Sequence, residues 1–92
     1  MRFEWDADKA QHNRRKYQVS FEVAARVFLD PNHIETYDDR DNYGEDRWKT
    51  VGLVETQWLA VVYTLRGDQE ETIRIISARR ADESEKRAYR QI

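Results

Sequence analysis

The spacing of apolar residues in the first third of the chain follows the period of an α-helix. Ser20, a favoured N-cap residue, is followed by apolar side chains at the i, i+3, i+4 and i+7 spacing of one buried helix face. Pro31 disfavours helical geometry at the residue before it. We therefore predict a helix that begins after Ser20 and ends near Leu29. Its buried face is formed by Phe21, Ala24, Ala25 and Phe28.

Two further helices are predicted from their capping residues. Asp6 can accept hydrogen bonds from the first N–H groups of a helix that continues to about Tyr17. The alternating segment before it, Arg2 to Trp5, forms a short strand or extended arm. Near the other end, Asp82 and Glu85 have the spacing of a capping box. This predicts a last helix to about Arg90, with Ala88, Tyr89 and Ile92 as its apolar residues.

Beyond residue 47 the apolar pattern changes to the period of two that is typical of strands. Three segments there are rich in β-branched and aromatic residues, and Gly67 and Asp68 supply a turn between the second and the third. A shorter strand follows Pro31. The predicted strands are Ile34–Tyr37, Trp48–Val54, Trp58–Leu65 and Thr72–Ala78.

These elements predict an α+β fold in which two N-terminal helices and a C-terminal helix pack on a mainly antiparallel sheet of about four to six strands. The chain has 92 residues, of which 39% are hydrophobic, so we expect residues 1–92 to form a single domain. With 3 Trp, 5 Tyr and 3 Phe, much of the apolar surface is concentrated in large side chains that can build a core despite a charged fraction of 37%.

The charge is distributed unevenly along the chain. The net charge of -2 argues against a general nucleic-acid coat protein, which would carry surplus Lys and Arg. Residues 1–46 contain 7 basic and 11 acidic groups, a net of -4, whereas residues 47–92 contain 9 basic and 7 acidic groups, a net of +2. Any surface that binds an anion is therefore expected from the second half.

Cysteine and long apolar runs are both absent. Without Cys, no disulfide or thiolate metal site can hold the fold, which agrees with a reducing compartment. The first residues carry no apolar signal segment, and no apolar run approaches the roughly 18 residues of a membrane span. We expect a cytoplasmic protein that does not contact a membrane.

The acidic segment 38–46 matches a calcium-binding loop only in part. It is predicted to be a mobile loop or wide turn. With Gly44 aligned to the glycine of the EF-hand template, Asp39 and Asp41 match, but Tyr43 occupies a ligand position and Thr50 stands where a bidentate Glu is required. We therefore expect no metal and no other cofactor, and interpret the segment as a solvated loop or a docking surface for a basic partner.

Catalysis through a protein nucleophile finds no support in the residues. The chain has no Cys, and its two histidines, His12 and His33, lie outside any recognisable triad pattern. Each His is expected to be structural or solvated.

The basic residues near the end of the third long strand are more informative. In a regular strand, Ile73, Ile75, Ser77 and Arg79 would share one face, and Thr72, Arg74, Ile76 and Arg80 the other. Arg79 and Arg80 would then point the same way only if the strand had ended. A helix that begins at Asp82 favours such an end.

Arginines at the end of a sheet can bind a phosphodiester through two hydrogen bonds and stabilise charge in a transition state. RNA supplies its own nucleophile, the 2′-hydroxyl, so that a small protein needs no metal and no covalent intermediate. The alternative for each Arg is a surface ion pair, and for Tyr89 a core contact of the last helix. We assign Arg79, Arg80, Lys49, Arg66 and Tyr89 as catalytic residues and Arg47 and Arg74 as RNA-binding residues.

Several segments taken together resemble the BrnT toxin family, and they span nearly the whole chain. The first half contributes Phe3-Glu4-Trp5-Asp6, Lys9, Asn13, Val19-Ser20-Phe21-Glu22, Ala25, Val27-Phe28 and Asp30. The second half contributes Glu45, Arg47, Gly52, Val61-Val62-Tyr63-Thr64, the run from Arg74 to Ala81, Glu85 and Tyr89. One departure lies at Lys16-Tyr17-Gln18, where the family commonly has Lys-His-Gly, and it changes a turn that ends a helix.

The resemblance implies a fold similar to the RelE-like RNase toxins and a role as the toxin of a type II toxin–antitoxin system. It implies RNA cleavage that inhibits translation, and neutralisation by a cognate antitoxin that carries the DNA-binding module. Two toxins would pair with an antitoxin dimer, and DNA would be reached only through the antitoxin. The alternative is a non-enzymatic binding module that blocks translation, or regulates a partner, by occupying a site.

Overall fold

The structure, a computed structural model, describes residues 1–40 and 44–91 and places an α+β fold in them, as predicted. The strands are β1 (Arg2–Glu4), β2 (Ile34–Tyr37), β3 (Trp48–Val54), β4 (Gln57–Arg66) and β5 (Thr72–Arg80). The helices are α1 (Ala7–Tyr17), α2 (Phe21–Ala25), continued by a 3₁₀ turn (Arg26–Leu29), and α3 (Glu83–Arg90). The strands form one sheet in the order β1-β5-β4-β3-β2, in which β1 is parallel to β5 and the other neighbours are antiparallel.

The helices cover opposite faces of this sheet. Leu59 and Val61 of β4 pack in the main core with Phe21 of α2. Ala60, between them, packs in a second cluster with Tyr89 of α3. Because neighbouring residues of a strand point to opposite faces, α2 and α3 lie on different sides. We call these sides the α2 face and the α3 face.

The predicted caps begin the three helices. Asp6 accepts a hydrogen bond from the Lys9 N–H at 2.9 Å, and the Ser20 hydroxyl accepts one from the Val23 N–H at 3.1 Å. At α3 the capping box is complete, since Asp82 accepts from the Glu85 N–H at 2.8 Å and Glu85 accepts from the Asp82 N–H at 2.8 Å. These contacts satisfy N–H groups that a helix leaves without an internal partner.

The prediction of one helix from Ser20 to Leu29 was wrong in its second half. The α-helical hydrogen bonds end at Ala25, and a 3₁₀ turn follows. This turn buries Val27 against β3 at Gly52, where an added Cβ would lie 2.8 Å from the Val27 Cγ1. The missing side chain of Gly52 therefore allows the turn to pack directly on the sheet.

The predicted alternation of side chains along β5 was also wrong. The register shifts between Val62 and Tyr63 of β4, whose partners are Ser77 and Ile75, so that Ile76 is an extra residue in β5. Such a bulge changes the face to which the following side chains point. As a result, Arg79 lies opposite Ala60 and shares the α3 face with Arg74 and Ser77. The Arg80 side chain leaves the backbone on the α2 face, as those of Ile73 and Ile75 do.

A buried asparagine joins α1 to β5 next to this bulge. The Asn13 side-chain amide donates to the carbonyl of Ala78 at 2.8 Å and to that of Val19 at 3.0 Å. Its carbonyl oxygen accepts from the Ala78 N–H at 3.1 Å. Asn13 thus satisfies both backbone groups of Ala78 at a point that β1 does not cover.

Part of the predicted acidic loop, residues 41–43, lies outside the described residues. Asp41 and Tyr43 of the calcium comparison are therefore outside them, as is Ile92 of the predicted last helix. Within residues 1–40 and 44–91, no group of three or more His, Cys, Asp or Glu side chains could hold a metal ion. The helices of the same residues are too short or too polar to cross a membrane.

The departure from Lys-His-Gly at residues 16–18 suggests a stabilising substitution. Gln18 ends α1 in the left-handed conformation, with φ 58° and ψ 32°. A residue with a Cβ is strained there, whereas glycine is not. Replacing Gln18 with Gly is therefore expected to raise the free energy of unfolding by about 1 kcal/mol, measured by urea denaturation.

The matched control is Gln18→Ala, which removes the side chain beyond the Cβ but keeps the Cβ itself. Both variants lose the hydrogen bond from the Gln18 amide to the Arg15 carbonyl. Equal stability of the Gly and Ala variants would contradict the account of strain.

Candidate active site

A buried carboxylate on the α3 face brings two of the predicted site residues together. Glu85, in the first turn of α3, is 6% exposed, and it contacts both Arg79 of β5 and Lys49 of β3. Arg79 Nη1 donates to Oε1 at 2.7 Å and Nη2 donates to Oε2 at 2.9 Å. Lys49 Nζ lies 2.7 Å from Oε2. The cluster joins three elements that are distant in the sequence.

These contacts set the protonation of the cluster. Burial alone would raise the pKa of Glu85, but the hydrogen bonds from Arg79, Lys49 and the Asp82 N–H outweigh it and lower the pKa to about 2. The same carboxylate raises the pKa of Arg79. At neutral pH the cluster therefore contains two cations and one anion, a net charge of +1.

A second ion pair borders the cluster at the end of β2. Asp38, whose side chain is 3% exposed, accepts hydrogen bonds from Arg40 Nε at 2.8 Å and Nη2 at 2.9 Å. These bonds, together with the charge of Lys49, lower the pKa of Asp38. A cleft of about 210 Å³ lies between this pair and Lys49, which lines it. The acidic segment therefore begins beside the cationic cluster.

Arg80 is placed differently from Arg79. It is exposed, and its carbonyl accepts a hydrogen bond from Arg79 Nη1 at 3.2 Å. Because the strand continues through Arg80, the two side chains leave the backbone on opposite faces. The two side chains would point the same way only if β5 ended before Arg80, but the strand includes Arg80.

Arg66 and Arg47 meet at a different carboxylate. Glu45 Oε1 accepts from Arg66 Nη2 at 3.0 Å, and Glu45 Oε2 accepts from Arg47 at 3.3 Å. The Arg66 side chain is 50% exposed, so this pair is far more hydrated than the Glu85 cluster. Arg74 forms a third pair, in which Nη1 donates to Glu4 of β1 at 2.7 Å.

Tyr89 lies one turn after Glu85 in α3, but its hydroxyl is bonded elsewhere. It donates to Asp30 Oδ2 at 2.8 Å, and this carboxylate also accepts from the Leu53 N–H at 2.7 Å. The ring contacts Trp58 edge-on, with centroids 6.5 Å apart. Burial and the Asp30 carboxylate raise the pKa of the phenol. The Tyr89 side chain thus connects α3 to the segment after the 3₁₀ turn.

The histidines also fit the structural interpretation. His33 Nδ1 lies 2.7 Å from the Asp30 carbonyl oxygen, and its Nε2 lies 3.5 Å from Glu35. His12 is exposed on α1. Neither is bonded to Arg79, Lys49 or Glu85.

Sequence reasoning missed the contacts of Glu85 with Arg79 and Lys49. The residue was identified as the end of a capping box, which is correct, but the same carboxylate also binds two side chains. The available signal was the proximity of an acid in a first helical turn to Arg79, six residues earlier. The Asp38–Arg40 pair had no comparable signal within its acidic segment.

Comparison with known proteins identifies the family. A model described as the ribonuclease toxin, BrnT, of type II toxin–antitoxin systems matches residues 5–85. The chain belongs to the BrnT family. The match includes Lys49, Arg79 and Glu85 and ends before Tyr89.

A solved structure of a BrnT protein is similar in fold. The crystal structure of the Brucella abortus ribonuclease toxin BrnT aligns with a TM-score of 0.67 and 25% identity, covering 90% of this chain and 99% of that one. No match to the chain was found among curated proteins. The family resemblance stated from sequence is confirmed, and with it the function class, a BrnT ribonuclease toxin of a type II toxin–antitoxin system.

The lowered pKa of Glu85 predicts how this BrnT chain responds to acid. A carboxyl whose pKa is lower in the folded state stabilises the fold above its unfolded value of 4.5, and the stabilisation is lost as the pH falls towards about 2. Glu85→Gln is therefore expected to be less stable than the wild type at pH 7. The difference, on the order of 3 kcal/mol, should disappear as the pH falls from about 5 to 2.

Denaturant unfolding of both proteins at several pH values in this range measures the effect. Asp30 and Asp38 also have lowered pKa values, but they are present in both proteins, so the difference isolates Glu85. Parallel stability curves across the range would contradict the assignment.

Proposed function

We propose that this BrnT chain cleaves RNA on the α3 face, by attack of a 2′-hydroxyl on the adjacent phosphate and without a metal ion. The observation that carries the proposal is the meeting of Arg79 and Lys49 at the buried Glu85 carboxylate, at 2.7 to 2.9 Å. The two cations are 34% and 29% exposed, so a phosphate can reach them from solvent.

The chemistry requires little more than position and charge. The 2′-oxygen forms a bond to phosphorus, the bond from phosphorus to the 5′-oxygen breaks, and a 2′,3′-cyclic phosphate remains. The 2′-hydroxyl loses a proton and the departing 5′-oxygen gains one. A site that aligns the 2′-oxygen and stabilises the negative charge on the phosphate oxygens supplies the main parts of the barrier reduction.

The carboxylates of Glu85, in the cluster, and of Asp38, beside it, are poor proton acceptors. The low pKa of Glu85, about 2, and the lowered pKa of Asp38 follow from their bonds to cations. An efficient general base has a pKa near the working pH. Stabilisation of charge by Arg79 and Lys49 is therefore the larger contribution that these residues make.

The other predicted cations extend the positive surface rather than the cluster. Arg74 of β5 lies opposite Thr64 of β4, and Arg66 lies two residues after Thr64 in the same strand. Both arginines therefore share the α3 face with Arg79. Their ion pairs with Glu4 and Glu45 are partly exposed, and such pairs are worth little in water. RNA phosphates on either side of the scissile bond would replace these carboxylates, with Arg47 beside Arg66. The Arg80 side chain would contact the RNA only if it bent round the end of β5 to the α3 face.

The family also supports a proposed partner, an antitoxin that neutralises the toxin and carries the DNA-binding module. We propose a complex of two toxins with an antitoxin dimer in the cytoplasm, in which DNA is contacted only by the antitoxin. The net charge of -4 in residues 1–46 favours a basic antitoxin segment. Such a segment could fold on contact.

The first test is incubation of the purified protein with labelled single-stranded RNA in excess EDTA and, separately, with translating ribosomes in their own Mg²⁺ buffer. The wild type should cleave and leave 2′,3′-cyclic phosphate ends. Arg79→Ala should lose at least about 100-fold in rate, because one charged donor to the transition state is removed. The effect of Arg80→Ala, which removes the same charge from the other face, should be much smaller.

The matched control is Arg15→Ala, an equal loss of charge on the exposed surface of α1. It should cleave like the wild type, and thermal unfolding of each variant should separate a loss of catalysis from a loss of fold. Cleavage that stops in EDTA would refute metal independence. No cleavage of either substrate would favour the alternative of inhibition by occupancy.

The antitoxin proposal is tested by co-expression with a small DNA-binding protein encoded next to the toxin gene. The two should co-purify at a mass equal to two copies of each, and RNA cleavage should stop on complex formation. A toxin that remains alone and active in its presence would contradict the proposal.

A further inference from the structure

The arrangement around Glu85 leaves one edge of Arg79 open. A guanidinium has five N–H donors in a rigid plane. In Arg79, one donor of each Nη binds Glu85, and Nη1 also donates to the Arg80 carbonyl at 3.2 Å. The donors that remain, on Nε and Nη2, lie on the same edge and have no acceptor within residues 1–40 and 44–91. Two parallel donors on one edge match two oxygens of a phosphate.

The orientation of this open edge is determined by Glu85. Its carboxylate cannot rotate without breaking the bond from the Asp82 N–H at 2.8 Å, which belongs to the capping box of α3. Arg79 is held to it by two bonds, and Lys49 is held to Oε2 on the β3 side. The helix terminus thus fixes the carboxylate, and the carboxylate fixes both cations.

We propose that Glu85 is a positioning residue for RNA cleavage, which turns the Nε and Nη2 edge of Arg79 towards the scissile phosphate and holds Lys49 beside it. This inference rests on the proposed function. Glu85 also limits the net charge of the cluster to +1, so the site binds RNA less tightly than two unpaired cations would. Glu85 therefore lowers the affinity for RNA and at the same time fixes the orientation of Arg79 and Lys49.

The test is Glu85→Gln in the full chain, with kcat and KM measured for single-stranded RNA. In the amide, one of the two oxygens that accept from Arg79 is replaced by an NH₂ donor, so the paired contact is lost. We therefore expect kcat per folded molecule to fall by about 100-fold, the effect of a small misplacement of a catalytic group. KM should not rise, because the cluster now has a charge of +2. The slope of log Kd against log salt should become steeper by about 0.7, the value for one more phosphate contact on a single strand.

The matched control is Glu83→Gln, two residues earlier in α3. Glu83 is exposed and contacts Lys86 at 3.4 Å, so this variant removes the same charge from the same helix without touching the cluster. It should leave kcat and the salt slope unchanged. If Glu85 is merely structural, Glu85→Gln will lower the folded fraction but keep the wild-type kcat per folded molecule, and the inference fails.

A measurement on the wild type keeps the inference testable if Glu85→Gln does not fold. The Nε–H resonance of Arg79 should shift when a single-stranded RNA with a 2′-deoxy residue at the cleavage site is added, because this edge binds phosphate. No shift on saturation would overturn the inference. If the wild type cleaves RNA and Glu85→Gln keeps the wild-type kcat, only the role of Glu85 fails. A missing shift also refutes phosphate binding by this edge of Arg79, and a wild type that does not cleave overturns the proposed function as well.

Discussion

The structure around the candidate site depends on one buried carboxylate. Moving an ionised carboxyl group out of water is unfavourable unless charged and hydrogen-bonded partners replace the lost hydration. Glu85 obtains them from Arg79 on β5, Lys49 on β3 and the Asp82 N–H at the start of α3. The requirement to satisfy this group therefore holds α3 against the sheet and brings together two cations that lie 30 positions apart in the sequence. Stability and the geometry of the site have the same origin.

The position of Arg79 depends in turn on the bulge in β5. If Ile76 paired regularly instead of forming the bulge, Arg79 would share a face with Ile73 and Ile75 and would point towards the main core. The bulge turns it to the α3 face, and Asn13 satisfies both backbone groups of Ala78 just beyond it. A buried polar side chain of α1 thus binds the backbone of β5 next to the bulge, and the position of Arg79 on the α3 face depends on this bulge.

The sequence predicted most elements because their signals are local. Caps such as Asp6 and Ser20, the period of apolar residues and the turn at Gly67 depend on neighbours within a few positions. The bulge and the 3₁₀ turn that packs on Gly52 depend on tertiary contacts that no local pattern contains. The same limit applies to the candidate site, whose cations were selected by charge and residue type alone. Which of them share a carboxylate is decided by the fold.

The ion pairs of the predicted cations differ in how exposed they are to solvent, and this difference suits two different roles in RNA binding. The pairs of Arg66 and Arg74 are partly exposed, so they add little to stability and can be exchanged for phosphate at small cost. The Arg79 pair is anchored on a nearly buried carboxylate, and breaking it would leave that charge without compensation. In the proposed mechanism, RNA therefore binds Arg79 by its remaining donors, without displacing Glu85. A rigid central cation flanked by exchangeable ones suits a site that must hold one phosphate in place while the rest of the strand slides and binds.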